Sequence, residues 1–237
     1  MASKAKGSSK SSATAKQASS TVASSSSTTS NTSNSACVII PPQDLWDRIQ
    51  EIRGEHDTSF DRWPPHINLL WPFIPQSSFA DAAQKISSNS KFLAIKPFTV
   101  RFSTFSFTRG SRYVHLVADI LDQETREKLP WPPVFEKGKR KDATEITTPM
   151  QVLFQTLMEL FPGCERPFLD HDGNPTEHFL PHLSVGQVEQ KTIRDTVANL
   201  QSGWAPIEFE VTELTFLARA GPNKPFQTIL TIPLPET

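Results

Sequence analysis

Two short segments of the chain carry the same pattern of residue types. The first is His66-Ile67-Asn68-Leu69 and the second is His182-Leu183-Ser184-Val185, and each follows a proline. Side chains alternate between the two faces of a β-strand, so the histidine and the hydrogen-bonding residue of each segment share one face, while the apolar residues enter a core. Two imidazoles can divide the work of acid and base near neutral pH, and an amide and a hydroxyl can donate hydrogen bonds to an anion. These groups suit in-line attack on a phosphodiester without a cofactor.

On these two motifs the sequence resembles the 2H phosphoesterases, also called the 2',5' RNA ligase-like or LigT-like superfamily, which is named for two His-x-Thr/Ser-hydrophobic motifs. The resemblance covers the chain from about Cys37 to its end. It implies metal-independent hydrolysis of a 2',3'-cyclic phosphate or another small RNA-derived phosphodiester, with His66 and His182 as acid and base, no cofactor, and ligation in the reverse direction. Asn68 stands where the family has threonine or serine. Asn68 and Ser184 are expected to bind the phosphate, and which histidine is the base stays open.

The elements around the two motifs recur in the same order, with the histidines at positions 66 and 182. Each motif is preceded by a helix and followed by a helix and two strands. Thr148 is predicted to cap the helix that begins at Pro149. The predicted helices cover residues 44–52, 79–86, 149–160 and 191–200, and the predicted strands after the motifs cover residues 98–107, 113–119, 207–217 and 226–232. The economical interpretation is a duplicated unit of helix, strand, helix and two strands.

We therefore predict an α+β fold, α/β-like in its alternation, of two pseudo-symmetric lobes. Each lobe is an antiparallel-rich sheet covered by helices, and the two motif strands form the floor of a central cleft between them. Lobe one is assigned to about residues 37–125 and lobe two to about residues 145–237. Residues 1–36 are rich in Ser, Thr and Lys and contain no aromatic residue. Such a segment cannot bury enough surface to offset the entropy of ordering, so it is predicted to be a disordered tail.

Charge and composition limit the classes of binding partner and the cellular locations that we expect. The whole chain has a net charge of −1, and the tail holds four lysines and no acidic residue, so the remainder carries about −5. A body of that charge does not favour long duplex nucleic acid but suits a substrate bound locally, such as a nucleotide or a strand end. The resemblance implies that this partner is a nucleotide or an RNA 3' end with a cyclic phosphate, and we expect a monomer. No apolar run reaches the roughly 20 residues that cross a bilayer, so we expect a soluble protein without membrane contact. Cys37 and Cys164 suggest no disulfide framework, and we expect an intracellular, cytoplasmic or nuclear protein rather than an organellar one.

Five further side chains are candidates for substrate contacts. Arg219 directly follows a predicted strand and is expected to bind phosphate, and Arg112 lies in the corresponding loop of the first half. Tyr113 opens a strand beside that loop and is a candidate for stacking on a base. Trp63 and Phe179 lie shortly before the motif histidines, on loops that are expected to form the rim of the cleft.

Two other functions stay open at this stage. The asparagine of the first motif favours a module that binds a nucleotide or an RNA end with little turnover. The region of His171, His178 and His182 favours a metal-dependent hydrolase, because imidazoles with nearby carboxylates are metal ligands. That cluster lies in a turn-rich polar loop and leaves the first motif unexplained. His56 and His115 have no partner pattern and are assigned structural roles.

Overall fold

One antiparallel sheet of eight strands organises the computed structural model, which describes residues 31–108, 110–119, 148–164, 168–169, 175–176 and 179–236. The strands are β1 (Ser35–Ile39), β2 (Ile67–Leu70), β3 (Phe98–Phe107), β4 (Tyr113–Ala118), β5 (Phe168–Leu169), β6 (Pro175–Thr176), β7 (His182–Gln187), β8 (Ile207–Val211), β9 (Glu213–Ala218) and β10 (Gln227–Pro233). The helices are α1 (Trp46–His56), α2 (Phe79–Ser87), α3 (Ser90–Leu93), α4 (Pro149–Leu160) and α5 (Ile193–Ser202). The sheet order is β10-β9-β1-β2-β7-β4-β3-β8, while β5 and β6 pair separately.

Local signals and tertiary contacts together set the ends of the helices. The side chain of Thr148 accepts a hydrogen bond from the backbone of Gln151, and the Gln151 side chain accepts one from the backbone of Thr148. This capping box confirms the predicted start of α4. Helix α1 extends four residues beyond its predicted end at residue 52. The extension is stabilised by a buried ion pair of 2.8 Å between Arg53 in the last turn and Asp57 just after it.

The α+β fold with a central antiparallel sheet is confirmed, but the predicted composition of its two halves is wrong. Strand β4 pairs with β7 and β3 pairs with β4, while β9 pairs with β1 and β10 pairs with β9. Each half of the sheet therefore combines both halves of the chain, and the lobes are not the contiguous stretches 37–125 and 145–237. The run predicted at residues 207–217 is two strands, because β8 pairs with β3 and β9 pairs with β1. Alternation identifies strands, but it does not specify which edges pair.

The repeated unit also begins one strand earlier than the sequence suggests. The order strand, helix, strand, helix, strand runs from β1 to β3 and again, apart from the short strands β5 and β6, from β4 to β8. Strand β1 lies beside the first motif strand, and β4 lies beside the second. These two outer neighbours therefore occupy corresponding places around the centre of the sheet.

The first strand begins before the predicted boundary of the ordered domain. Strand β1 starts at Ser35, and the backbones of Thr32 and Phe73 exchange hydrogen bonds of 2.6 and 3.1 Å. The Ser35 hydroxyl donates to the carbonyl of Ile74 at 2.6 Å. The boundary at residue 37 is therefore too late, because small polar residues become ordered where a neighbouring strand satisfies their backbone groups. Residues 1–30 of the predicted tail lie outside the described residues.

The two faces of the sheet carry different clusters. The apolar residues of both motifs are buried in the main core, as alternation predicts. We call the opposite face, which carries the motif histidines with Asn68 and Ser184, the motif face. On it a smaller apolar cluster packs against two tryptophans and Ile40. Its members are Ala36, Val38, Leu217 and Phe226, with Trp63 and Trp71 packed against them.

Gly186 in β7 lies where α1 ends, and the close approach requires a residue without a side chain. A Cβ atom at this position would overlap the Cβ of His56 and lie 2.9 Å from its carbonyl carbon. We expect Gly186→Ala to lower the free energy of unfolding by about 1–3 kcal/mol, the usual cost of overpacking. Urea denaturation measures the change. Gly221→Ala is the matched control, because a Cβ there meets nothing within 4 Å; equal effects of the two variants would contradict the close contact.

Candidate active site

The two motif strands, β2 and β7, are neighbours at the centre of the sheet. The first apolar residue of one motif pairs with that of the other in antiparallel register. Continuing this register by one residue on either side brings His66 opposite Ser184 and Asn68 opposite His182, because residues directly opposite in a sheet share a face. All four side chains are half-buried. The sheet thus assembles both motifs into one group of four polar side chains on the motif face.

The two imidazoles are anchored in the same way. The Nδ1 atom of His66 lies 2.8 Å from the carbonyl oxygen of Pro64, and the Nδ1 atom of His182 lies 2.8 Å from that of Leu180. A carbonyl oxygen only accepts, so Nδ1 carries the hydrogen in both rings. Each Nε2 atom is then the nitrogen that remains for proton transfer. In both motifs the anchoring carbonyl belongs to the residue two positions before the histidine.

Burial keeps both imidazoles unprotonated at neutral pH. It lowers the pKa of His66 to about 4, against the opposing effect of the Pro64 carbonyl. The charge of Arg53, and that of His182 when this ring is protonated, lower the pKa further. Burial likewise lowers the pKa of His182, and the Leu180 carbonyl opposes that effect. Neutral imidazoles are bases, so the free site is prepared to accept protons rather than to donate them.

The lowered pKa of His66 makes stability depend on pH. The unfolded chain binds a proton at the ordinary pKa of 6.5 and the folded chain only at about 4. The contribution of neutral His66 is therefore fully present above pH 6.5 and is lost as the pH falls toward 4. Relative to His66→Gln, the wild type should lose about 3 kcal/mol of unfolding free energy between pH 7 and pH 4. Denaturant titrations at several pH values measure this difference, and a difference that does not vary with pH would exclude the low pKa.

Trp63 packs on the catalytic candidate itself. Its ring stacks on that of His66 at a centroid distance of 4.5 Å and an interplanar angle of 16°. The centroid of the Phe226 ring lies 3.8 Å from that of Trp63. Trp71 contacts it edge-on at 5.8 Å. Protein rings therefore pack against Trp63, and its predicted contact with substrate stays a prediction. Its contact orients the imidazole of His66 and contributes to its burial.

Phe179 is not on the rim of the cleft. It is buried and stacks on Phe154 of α4 at 4.2 Å and 10°. The segment before the second motif is drawn into the core by this aromatic contact, which favours burial of both rings. The predicted position of Phe179 on the rim is wrong for that reason.

Arg219 lies beside the aromatic cluster and is held by three hydrogen bonds. Its Nε donates to the Asn34 side chain at 3.2 Å, and its terminal nitrogens donate to the carbonyls of Pro222 at 2.7 Å and Ser33 at 3.0 Å. The guanidinium also lies 4.6 Å from the centre of the Phe226 ring. In this conformation Arg219 supports Phe226, which packs on Trp63. A role in phosphate binding stays a prediction.

Two other candidates lie on the side of β4. Tyr113 is 51% exposed, and its ring stacks on that of His115 at 6.3 Å and 9°. Arg112 is exposed just before β4, and its carbonyl accepts a hydrogen bond from the backbone of Val188. Both side chains remain candidates for contact with substrate. Arg109, in the same loop, lies outside the described residues.

The structure adds His115, for which the sequence analysis expected only a structural role. In β4 it is opposite Ser184 of β7. Its ring lies 4.3 Å from that of His182 at an angle of 64°, and its Nδ1 lies 3.5 Å from the Ser184 hydroxyl oxygen. Burial, followed by the charge of His182, holds the pKa of His115 well below its usual value. Alternation along β4 places His115 on one face with Tyr113, but only the pairing of β4 with β7 brings it to the motifs.

A buried polar network connects the surroundings of the two motifs. Arg53 donates to the carbonyl of Trp63 at 2.8 Å and pairs with Asp57. Asp57 accepts a hydrogen bond of 3.1 Å from Gln187, the last residue of β7. Strands β2 and β7 share one registered residue pair, and these contacts add a second connection between the surroundings of the two strands. Sequence reasoning missed this network. Arg53 and Asp57 are only four residues apart, but Gln187 is 130 residues from Asp57, and no local pattern connects the two.

The structure describes part of the region that was considered for a metal. His171 and His178 lie outside the described residues. Within the part of the chain that the structure describes, no group of three or more His, Cys, Asp or Glu side chains is arranged to hold a metal ion. Cys37 and Cys164 are both buried. The described helices include none that is long and apolar enough to span a membrane.

A family model of the 2'-5' RNA ligase superfamily matches residues 41–223. The chain belongs to this superfamily. Membership supports an enzyme with phosphoesterase or ligase-type activity. No curated protein matches the chain.

Similar solved structures include one described as a phosphoesterase, with 14% identity and a TM-score of 0.48, covering 85% of this chain and 98% of that one. Escherichia coli LigT complexed with NADP+ and LigT complexed with 3'-AMP each have 14% identity and a TM-score of 0.46, covering 85% of this chain and 98% of theirs.

Proposed function

We propose that this superfamily member is a metal-independent phosphodiesterase that hydrolyses the 2',3'-cyclic phosphate of a nucleotide or of an RNA 3' end. The observation that carries the proposal is the matched anchoring of His66 and His182. Each ring gives its Nδ1 hydrogen to a backbone carbonyl two residues earlier and keeps Nε2 for chemistry. Two neighbouring imidazoles with the same free nitrogen suit a reaction in which one proton is taken and another is given.

The proposed reaction moves two protons. The Nε2 atom of one imidazole takes a proton from water, and the water oxygen attacks phosphorus. The bond from phosphorus to one ribose oxygen breaks on the opposite side, and the other imidazole, protonated at Nε2, gives its proton to that oxygen. The product is a phosphomonoester beside a free hydroxyl. When a ribose 5'-hydroxyl replaces water, the same steps form a new phosphodiester bond, which is ligation.

Binding of the substrate favours the protonated histidine that the proposed reaction needs as its acid. With both pKa values lowered, both imidazoles are neutral in the free protein at pH 7. An anionic phosphodiester between them stabilises an imidazolium, because a nearby opposite charge favours the protonated form. Protonation of one histidine is therefore coupled to substrate binding in this proposal.

Asn68 and Ser184 are proposed to bind the non-bridging oxygens of the phosphate. Both lie on the motif face, each opposite a catalytic histidine in the extended register of β2 and β7. Donors aimed at oxygens that gain charge in the transition state accelerate such reactions. The Oδ1 atom of Asn68 is buried without a hydrogen-bond partner among the described residues. The amide nitrogen is the group that would donate to the phosphate.

Turnover of a 2',3'-cyclic nucleotide in the presence of EDTA tests the proposal. Phosphomonoester product formed by the full chain with EDTA, and absent with His66→Ala, is the expected result. Binding without turnover would replace the enzyme by a nucleotide-binding module, which the asparagine of the first motif favours. Activity that EDTA removes and zinc restores would replace it by a metal-dependent hydrolase.

A further inference from the structure

We propose that His115 is a positioning residue that orients the hydroxyl of Ser184, so that its hydrogen points to a phosphate oxygen. This inference deepens the proposed function and rests on it. It gives a residue of β4, the strand next to the second motif strand, a part in the reaction. No covalent step is added, because His115 acts through Ser184 and not on the substrate.

The pairing of the strands places Ser184 between His115 and the cleft. His115 of β4 is directly opposite Ser184 of β7, and the extended register places His66 of β2 on the other side of Ser184. Residues opposite each other in neighbouring strands have Cβ atoms about 4.5–5.5 Å apart. The Nδ1 atom of His115 lies 3.5 Å from the Ser184 hydroxyl oxygen. This nitrogen can hold the hydroxyl from one side while substrate occupies the other.

The direction of the hydrogen bond decides what Ser184 can do. A hydroxyl has one hydrogen and can also accept. If Nδ1 of His115 carries a hydrogen, it donates to the Ser184 oxygen and leaves the hydroxyl hydrogen for phosphate. If Nδ1 is bare, it accepts the hydroxyl hydrogen and turns the oxygen lone pairs toward phosphate. An anionic phosphate repels those lone pairs, so its binding favours the tautomer of His115 with hydrogen on Nδ1.

The first motif provides an internal comparison. Strand β1 is outside β2 as β4 is outside β7, and the β1 residue opposite Asn68 is Val38. An amide carries its hydrogens fixed on nitrogen and has no freely rotating hydroxyl to orient. The outer neighbour of the Ser184 hydroxyl is thus a histidine, and the outer neighbour of the Asn68 amide is an apolar residue. This difference is the expected one if His115 is present to orient Ser184.

A double-mutant cycle separates this role from a structural one. His115→Phe keeps a ring of similar shape and removes the nitrogen, and Ser184→Ala removes the hydroxyl. We expect His115→Phe to lower kcat/KM for a 2',3'-cyclic nucleotide by about 2- to 10-fold, the range for one hydrogen bond, and to have no further effect in Ser184→Ala. His115→Asn, which restores a donor near Nδ1, should recover part of the loss. An equal loss in both backgrounds, or no loss in either, would overturn the proposal.

The tautomer of His115 gives a readout that does not require turnover. Nitrogen chemical shifts of the ring in the full chain should report hydrogen on Nδ1 when inorganic phosphate is added, and this dependence should disappear in Ser184→Ala. A ring that keeps hydrogen on Nε2 alone with phosphate present overturns the orienting role. Absence of any cyclic-phosphate turnover by the wild type would instead refute the proposed function, and the tautomer measurement would still decide the role of His115. Thermal unfolding of each variant shows whether the fold is kept.

Discussion

His66→Ala and His182→Ala should each lower kcat by about 100- to 10,000-fold, because each removes one partner of a general acid-base pair. The double variant should be little worse than either single one, since residues that act as a unit are not additive. Each ring donates the hydrogen on Nδ1 to a carbonyl oxygen and keeps Nε2 for proton transfer. The two single variants should therefore lose kcat by comparable factors. Steady-state kinetics with a 2',3'-cyclic nucleotide measure them.

His56→Ala is the matched control for these variants. His56 ends α1, and its Cβ packs against Gly186, which alanine preserves. It should retain the activity of the wild type. Thermal unfolding of all four proteins separates loss of chemistry from loss of fold. Largely retained activity in His66→Ala or His182→Ala would show that the removed histidine is not catalytic.

Asn68→Leu should lower kcat/KM by about 100- to 1000-fold, the usual cost of one donor to a transition-state oxygen. Asn68→Thr should preserve turnover, because threonine keeps a donor on the same strand face and restores the residue type typical of the superfamily. Leucine has nearly the shape of asparagine, so the comparison isolates the loss of the amide. Kinetics on both variants at the same pH provide the measurement.

Stability should respond to Asn68→Leu in the opposite direction from activity. The Oδ1 atom of Asn68 is buried without a partner among the described residues, and an unsatisfied buried acceptor costs free energy. Leucine removes that cost, so this variant should be at least as stable to denaturant as the wild type. Wild-type turnover in Asn68→Leu beside an inactive His66→Ala would refute the donor role of Asn68. A large loss of stability in Asn68→Leu would show that its side chain supports the fold instead.

The local features of the candidate site were predictable because they depend on neighbours in the chain. Alternation alone placed the apolar residues of both motifs in the core, and the capping pattern gave the start of α4. The two motifs carried the resemblance to the superfamily that the family model confirms. The structure differs from the sequence-based expectations where tertiary packing, and not the local sequence pattern, sets the position of a side chain. Phe179 entered the core against Phe154, and Trp63 was enclosed between His66 and Phe226.

The sequence by itself determined the identities of the two histidines, the faces of their strands and the family to which the chain belongs. These follow from side-chain chemistry and from the two-residue period of a strand, both of which are properties of the local sequence. Only the tertiary structure decided which strands pair, and with them the roles of His115 and of the Arg53 and Asp57 network. Backbone hydrogen bonding is the same for every strand, so the partner of an edge is selected by the packing of the whole sheet and not by its own residues.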